Sequence, residues 1–310
     1  MRIIVPEGYR DFHCIAGRCR HTCCARWEID IDPETLARYR SMPGSLGEEL
    51  RAGIVEEDGT ARLVLDEKER CPMLREDGLC RIILERGEEA LCQICADHPR
   101  FRGFFSDTIC MGLGLCCEEA ARLYLSREEP FRLEVLEDDG EREGLTEDEA
   151  WLLSWESELL SILCDRSMPL PDRLDRVTEA AGCDPQTVMS DAREVCGALL
   201  ALEQLDPAWT ALLTACKEGA VPWPRTTDDF DRCFERLACL LLYRHLPGAL
   251  EDGRPEAHAM MCVLLTRLAQ ALFAMGERSM ERLIDVVRLL SSELEYSDEA
   301  IEELISMFDA

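Results

Sequence analysis

Cys14-Ile-Ala-Gly-Arg-Cys19-Arg-His-Thr-Cys23-Cys24 opens the run of thiols that decides how the first third of this chain is built. Three more groups follow: Cys71-Pro-Met-Leu-Arg-Glu-Asp-Gly-Leu-Cys80, Cys92-Gln-Ile-Cys95 and Cys110-x5-Cys116-Cys117. Eleven of the 18 cysteines lie at or before Cys117; the other seven, from Cys164 to Cys262, stand singly. Soft thiolates that arrive in short-spaced groups from several segments suit Zn²⁺ or an iron-sulfur cluster. Structural zinc commonly takes two C-x2-C pairs, and only Cys92/Cys95 has that spacing here. The irregular spacing and the surplus of thiols therefore favour iron-sulfur, with zinc as the alternative. The competing expectation is that the early cysteines are small buried side chains, which is the preferred reading of the seven later ones.

Working outward, the 310 residues carry a formal charge of -29. So acidic a surface repels phosphate backbones and anionic lipid, which argues against nucleic acid and membrane as partners. Hydrophobic residues make up 47% and charged residues 31%, a globular balance. The opening Met1-Arg-Ile-Ile-Val5-Pro6-Glu7 breaks too early for a secretory leader, and no long uncharged apolar run predicts a membrane span. The expected location is cytoplasmic, where thiols stay reduced and metal ligation is favoured over disulfides.

The texture changes along the chain. Residues 1–136 read as an irregular cysteine-rich module with short helices and strands. Asp32-Pro33 signals a helix start, Ala61–Leu65 and Phe131–Leu136 read as strands, and Cys117–Leu125 reads as a helix. Residues 137–146 form a charged, glycine-containing linker. Residues 146–310 read as an all-helical domain. Thr146 and Glu149 form a capping box, and Leu152, Trp155, Leu159, Leu160 and Leu163 mark one apolar face. Asp184-Pro185 and Asp206-Pro207 repeat the helix-start signal, and helices are expected over 228–245, 256–273, 278–290 and 298–308. The fold class is mainly α.

Tyr9-x2-Phe12-x-Cys14-Ile15, Cys19-x2-Thr22-Cys23-Cys24-x2-Trp27-x-Ile29-x-Ile31-Asp32, Cys71-Pro72-x-Leu74, Gly78-Leu79-Cys80-x-Ile82 and Cys95-x3-Pro99-Arg100 resemble the opening of the flagellin lysine-N-methylases. So do Cys117-x-Glu119-Ala-Ala-Arg-Leu123 and, near the end, Tyr243-Arg244-His245 and Ser291-x-Glu293-Leu-Glu295-x-Ser297. The resemblance spans nearly the whole length. It implies transfer of a methyl group from S-adenosylmethionine to a lysine side chain of a protein substrate, flagellin or another with exposed lysines. It also implies a ligand pool of Cys14, Cys19, Cys23, Cys24, Cys71, Cys80, Cys95 and Cys117. A single 4Fe-4S cluster needs four of these. Cys92 and Cys116 fall where the family usually has serine, and Cys110 is extra. Ser292 and Tyr296 replace a lysine and a histidine of the family's tail.

Methyl transfer to nitrogen needs a neutral amine, in-line alignment and exclusion of water. No radical is required, and the C-x3-C-x2-C spacing of radical enzymes is absent. So is a strand followed by G-x-G-x-x-G and a helix, so a site for S-adenosylmethionine rests on the resemblance alone. Candidate catalytic groups are Asp97, Glu293, Glu295 and Tyr243; candidate cofactor-binding groups are Trp27, Arg100 and Arg244. Each has a plainer reading: Trp27 as core, Arg100 paired with a local acid, His245 favouring a helix C-terminus, and the two glutamates as solvated surface. The alternative function is a non-catalytic iron-sulfur or zinc protein with a redox-sensing or scaffolding role.

Overall fold

The computed structural model describes residues 1–140, 144–185, 192–219, 223 and 229–308. Helix accounts for 56% and strand for 13%, so the chain is mainly α. It divides into two compact units, one of Met1–Phe12 with Phe101–Ala310 and one of His13–Arg100.

The strands in chain order are β1 (Arg2–Pro6), β2 (Ile29–Ile31), β3 (Ile54–Glu57), β4 (Thr60–Leu63), β5 (Arg100–Phe104), β6 (Thr108–Leu113) and β7 (Leu133–Asp138). The helices of the first half are α1 (Pro33–Ser41), α2 (Gly44–Ala52), α3 (Arg81–Arg86), α4 (Gln93–Asp97) and α5 (Glu118–Leu125). Those of the second half are α6 (Glu147–Cys164), α7 (Leu170–Ala180), α8 (Ala192–Leu199), α9 (Pro207–Gly219), α10 (Asp231–His245), α11 (Ala249–Asp252), α12 (Pro255–Ala274), α13 (Met280–Leu294) and α14 (Asp298–Ser306).

The unit boundary differs from the expected division at 136/146, because the four-stranded sheet and α5 pack with the helices and β1 belongs to that sheet. It runs parallel to β6, with Ile3 opposite Ile109, and antiparallel to β7, with Val5 opposite Glu134, in a sheet ordered β5-β6-β1-β7. A strand with neighbours on both sides has its backbone groups satisfied only there. The first twelve residues therefore belong with the helical unit. Gly112 on β6 allows the Phe101 ring to lie against the backbone, since a Cβ would stand 2.4 Å from that ring.

In the same unit α6 begins at the Thr146 capping box and buries Leu152, Leu159 and Leu163, while Trp155 and Leu160 are half-buried. α10 buries every residue from Cys233 to Tyr243. α12 is the one helix among the described residues long and apolar enough to cross a membrane, and 94% of that window is buried inside the protein. The Asp184-Pro185 signal precedes residues 186–191 and the 228 boundary precedes Asp229; both of those expected starts, like 141–143 of the linker, touch positions outside the described residues.

The helical core holds charge as well. Glu235 is fully buried, and its carboxylate takes Arg166 at 2.9 Å and Arg173 at 2.7 Å. Arg173 also reaches the Leu163 carbonyl, and Arg267 on α12 pairs with Asp175 on α7.

In the His13–Arg100 unit, β2, β4 and β3 form an antiparallel sheet with Ile29 opposite Leu63 and Ile54 opposite Leu63. Asp32 caps two helices at once. Its Oδ1 accepts from Thr35 N at 2.9 Å and its Oδ2 accepts from Gln93 N at 2.9 Å. The carboxyl is held below its usual range by these bonds, Gln93's first. Tyr39 is buried and donates to the Ala90 carbonyl at 2.9 Å.

Removing one partner of a buried ion group leaves uncompensated charge. Glu235→Ala is expected to lower the unfolding free energy by about 3–5 kcal/mol, read from urea denaturation. A loss under about 1 kcal/mol would mean that Arg166 and Arg173 are satisfied without it.

Candidate functional sites

Thiols gather in the His13–Arg100 unit. The Cys24 carbonyl accepts from Cys71 N at 2.8 Å, and Ala25 and Arg70 form a bridge, so the first and second cysteine groups lie side by side. Cys80 pairs with Leu74 across a tight turn and caps α3; Cys92 caps α4, one turn before Cys95. Cys71 and Cys92 are buried core residues, with Cys24, Cys80 and Cys95 packed against the same core. Burial pushes the Cys71 thiol up to about 12, and the neighbouring Cys24, Cys80 and Cys92 add to it. The Cys95 thiol hydrogen-bonds to Cys92, which lowers Cys92 to about 7 and raises Cys95. Contact with Cys23 lowers Cys24 to about 7 against burial.

The ligand pool drawn from the resemblance is thus only partly gathered. Cys24, Cys71, Cys80 and Cys95 lie together, with Cys23 beside Cys24. Cys92, outside that pool, lies among them. Cys14 is exposed, its sulfur accepting from Ala16 N at 3.4 Å, and Cys19 ends the short 3-10 turn after it. Cys117 belongs to the other unit, as the residue before α5. Among the described residues no three His, Cys, Asp or Glu side chains are arranged to hold a metal ion as they stand.

Trp27 donates through Nε1 to the Cys23 carbonyl at 2.6 Å and packs on the thiol-bearing core. Its ring stands 5.9 Å from that of His98. The His98 Nε2 is buried with no hydrogen-bond partner, and burial lowers the imidazole to about 4. Asp97 accepts from Gln93 Nε2 at 2.6 Å, and Arg100 begins β5.

The second constellation lies in the other unit, at the end of α10 and the end of α13. Glu295 Oε2 takes the Arg244 Nε at 3.2 Å and the His245 Nε2 at 2.8 Å. Arg244 also donates to the Glu295 carbonyl at 3.0 Å and the Tyr296 hydroxyl at 3.3 Å, and lies 4.3 Å over the Tyr296 ring. Cys116 meets the Tyr296 hydroxyl at 3.3 Å. Burial alone would raise the Glu295 carboxyl; the Arg244 charge and the His245 hydrogen bond outweigh it and hold the group at about 2. Burial holds His245 below its usual value, so the ring is neutral near pH 7. Glu295 Oε1 is buried and has no partner. Arg244 and Glu295 line a small recess of about 10 Å³ with Phe101, Leu113, Leu115, Leu240 and Leu241.

The remaining candidates carry structure. Glu293 is buried and accepts the backbone amides of Leu205 at 3.0 Å and Asp206 at 2.7 Å, just before α9. Tyr243 is buried and donates to the Ile4 carbonyl at 2.6 Å, which fastens β1 to α10. Sequence reading passed over Glu156, a buried carboxyl on α6 raised to about 8 by burial, because a lone glutamate on an amphipathic helix reads as surface. Compared with known proteins, the chain matches no family model, no curated protein and no solved structure.

The Glu295 carboxyl is depressed from about 4.3 in an unfolded chain. Its contribution to stability is therefore fully present above that value and lost as pH falls toward 2. The stability gap between the wild type and Glu295→Gln, read from urea denaturation, should be on the order of 3 kcal/mol at pH 7 and should shrink steadily below pH 4. A gap independent of pH would show that Arg244 and His245 do not hold the charge.

Proposed function

We propose that the His13–Arg100 unit is a thiolate metal-binding unit, with an iron-sulfur cluster preferred and zinc the alternative. The observation that carries this reading is the gathering of Cys24, Cys71, Cys80, Cys92 and Cys95 around one core. The donor set fits a soft metal in type and number, although the side chains must turn toward one another to bind it. Cys24, Cys71, Cys80 and Cys95 would hold the group, with Cys92 and Cys23 next in reach. When bound, a four-iron cluster supplies cross-links between loops and a one-electron centre. Trp27 packs against the thiol-bearing core.

On the residues that resemble the flagellin lysine-N-methylases, we further propose that the chain is an S-adenosylmethionine-dependent protein lysine N-methyltransferase. The charge of -29 suits a lysine-bearing protein substrate, and it disfavours nucleic acid and anionic membrane. In the cytoplasm its thiols would remain reduced. Glu295, held ionised, would bind a substrate ammonium, and neutral His245 beside it would accept the proton. The transferred methyl needs no metal, which leaves the cluster a structural or electron-carrying role. The recess beside Glu295, at about 10 Å³, is far smaller than a cofactor pocket of roughly 300–1,000 Å³, which favours the second reading, a non-catalytic metal protein for redox sensing or scaffolding.

Protein purified without oxygen should contain iron and sulfide in stoichiometric amounts. Cys71→Ser and Cys80→Ser should lose most of it, and Cys92→Ser and Cys116→Ser should keep it. Zinc in place of iron would change the metal and leave the site; no metal of either kind would remove the proposal. Calorimetry with S-adenosylmethionine separates the two functions, since absence of binding to the metal-loaded protein would leave only the non-catalytic one.

A further inference from the structure

Two of the seven scattered cysteines are neighbours. Cys164, the last residue of α6, stands with its sulfur 4.0 Å from that of Cys239, in the middle of α10. Cys164 is half-buried and Cys239 is fully buried. The pair lies 75 residues apart in the chain, and both side chains sit beside the buried charges of Glu235 and Arg166. Arg236, one turn before Cys239, is itself wholly buried, and its Nε and Nη1 have no partner. Of the other later cysteines, Cys183 meets only a carbonyl, that of Ala181 at 3.6 Å.

We propose that Cys164 and Cys239 form a thiol-disulfide modification site, oxidised by peroxide, that joins α6 to α10. Cys164 reacts first because it is the half-buried member. Its sulfur attacks one oxygen of hydrogen peroxide, the O–O bond breaks, the thiol proton passes to the departing hydroxide, and a sulfenic acid and water result. The Cys239 thiol, which burial keeps protonated, then gives its proton to the sulfenic hydroxyl as its sulfur attacks the sulfenic sulfur, and the S–O bond breaks with water leaving. In sum, two thiols and one peroxide give one disulfide and two waters. A sulfur separation of 4.0 Å must close to about 2.05 Å as the bond forms.

The consequence falls on α10. Cys239 precedes Arg244 and His245 on the same helix, so the bond fastens to α6 the helix that carries the Glu295 constellation. A reduced pair leaves α10 held by packing, by the Glu235 ion group, by the Tyr243–Ile4 hydrogen bond and by the Glu295 contacts at its end. This inference does not depend on the metal or on methyl transfer.

The test uses the full-length protein with low millimolar hydrogen peroxide, followed by alkylation under denaturing conditions and peptide mass spectrometry. A linked Cys164–Cys239 peptide should appear, be reversed by dithiothreitol, and accompany a rise in melting temperature of several degrees. Cys183→Ser should behave like the wild type. Cys164→Ser should lose both the linked peptide and the thermal shift; Cys239→Ala should lose the linked peptide and leave Cys164 at the sulfenic or sulfinic stage. A thermal shift retained in Cys164→Ser, or Cys239 alkylated in full while Cys164 is oxidised alone, would overturn the proposal.

Discussion

Eight cysteines lie in a unit, His13–Arg100, whose buried core is small: Ile29, Ile31, Tyr39, Met42, Leu46, Leu50 and a few more, with Cys71 and Cys92 among them. A domain of this length buries only a modest share of its apolar surface, and the hydrophobic contribution scarcely exceeds the entropy of ordering the chain. Contacts beyond apolar packing add most where they close its loops. Asp32 supplies part of this, since one carboxylate satisfies the first amides of both α1 and α4. Thiols supply the rest if a metal joins them, because a metal bond gains most where it closes long loops. The spacing from Cys24 to Cys71 and from Cys80 to Cys95 fits that role better than packing alone does.

The other unit meets the opposite problem. Its core is large, and what it must manage is buried charge. Glu235 and Glu295 are both removed from water, and each is tolerable only because two cationic or donor side chains take its oxygens. The two groups differ in what is left over. Glu295 keeps one oxygen without a partner, and that oxygen belongs to a side chain lining the recess.

Local signals were legible where the physics is local. Asp32-Pro33, the Thr146/Glu149 box and Asp206-Pro207 each mark a helix start in the structure, because a cap is decided within four residues. The expected strands and the later helices lie within a few residues of their places. What sequence could not show was decided at long range. β1 is a five-residue strand, and only its pairing with β6 and β7 and the contact of Tyr243 on α10 with Ile4 reveal that it belongs to the helical unit. Cys92 reads as an outsider by resemblance, yet it caps α4 and faces Cys95. Glu293 and Glu295 look alike in the sequence, two residues apart on one helix end. The first secures the start of α9 and the second faces Arg244 and His245.

That contrast bears on which group can handle a proton. A carboxylate held at about 2 by a guanidinium and an imidazole does not take up a proton near neutrality. The neutral imidazole beside it can. With Nε2 hydrogen-bonded to Glu295, the His245 ring carries its proton on that nitrogen and presents Nδ1 as an acceptor, and any imidazolium formed is stabilised by the carboxylate. Arg244 limits this stabilisation, because it already neutralises much of the Glu295 charge at 3.2 Å. The arrangement therefore favours fixing a donor group in place over strong base chemistry. In methyl transfer to nitrogen, where the methyl is already activated, holding and aligning the amine is the greater part of what a protein must do.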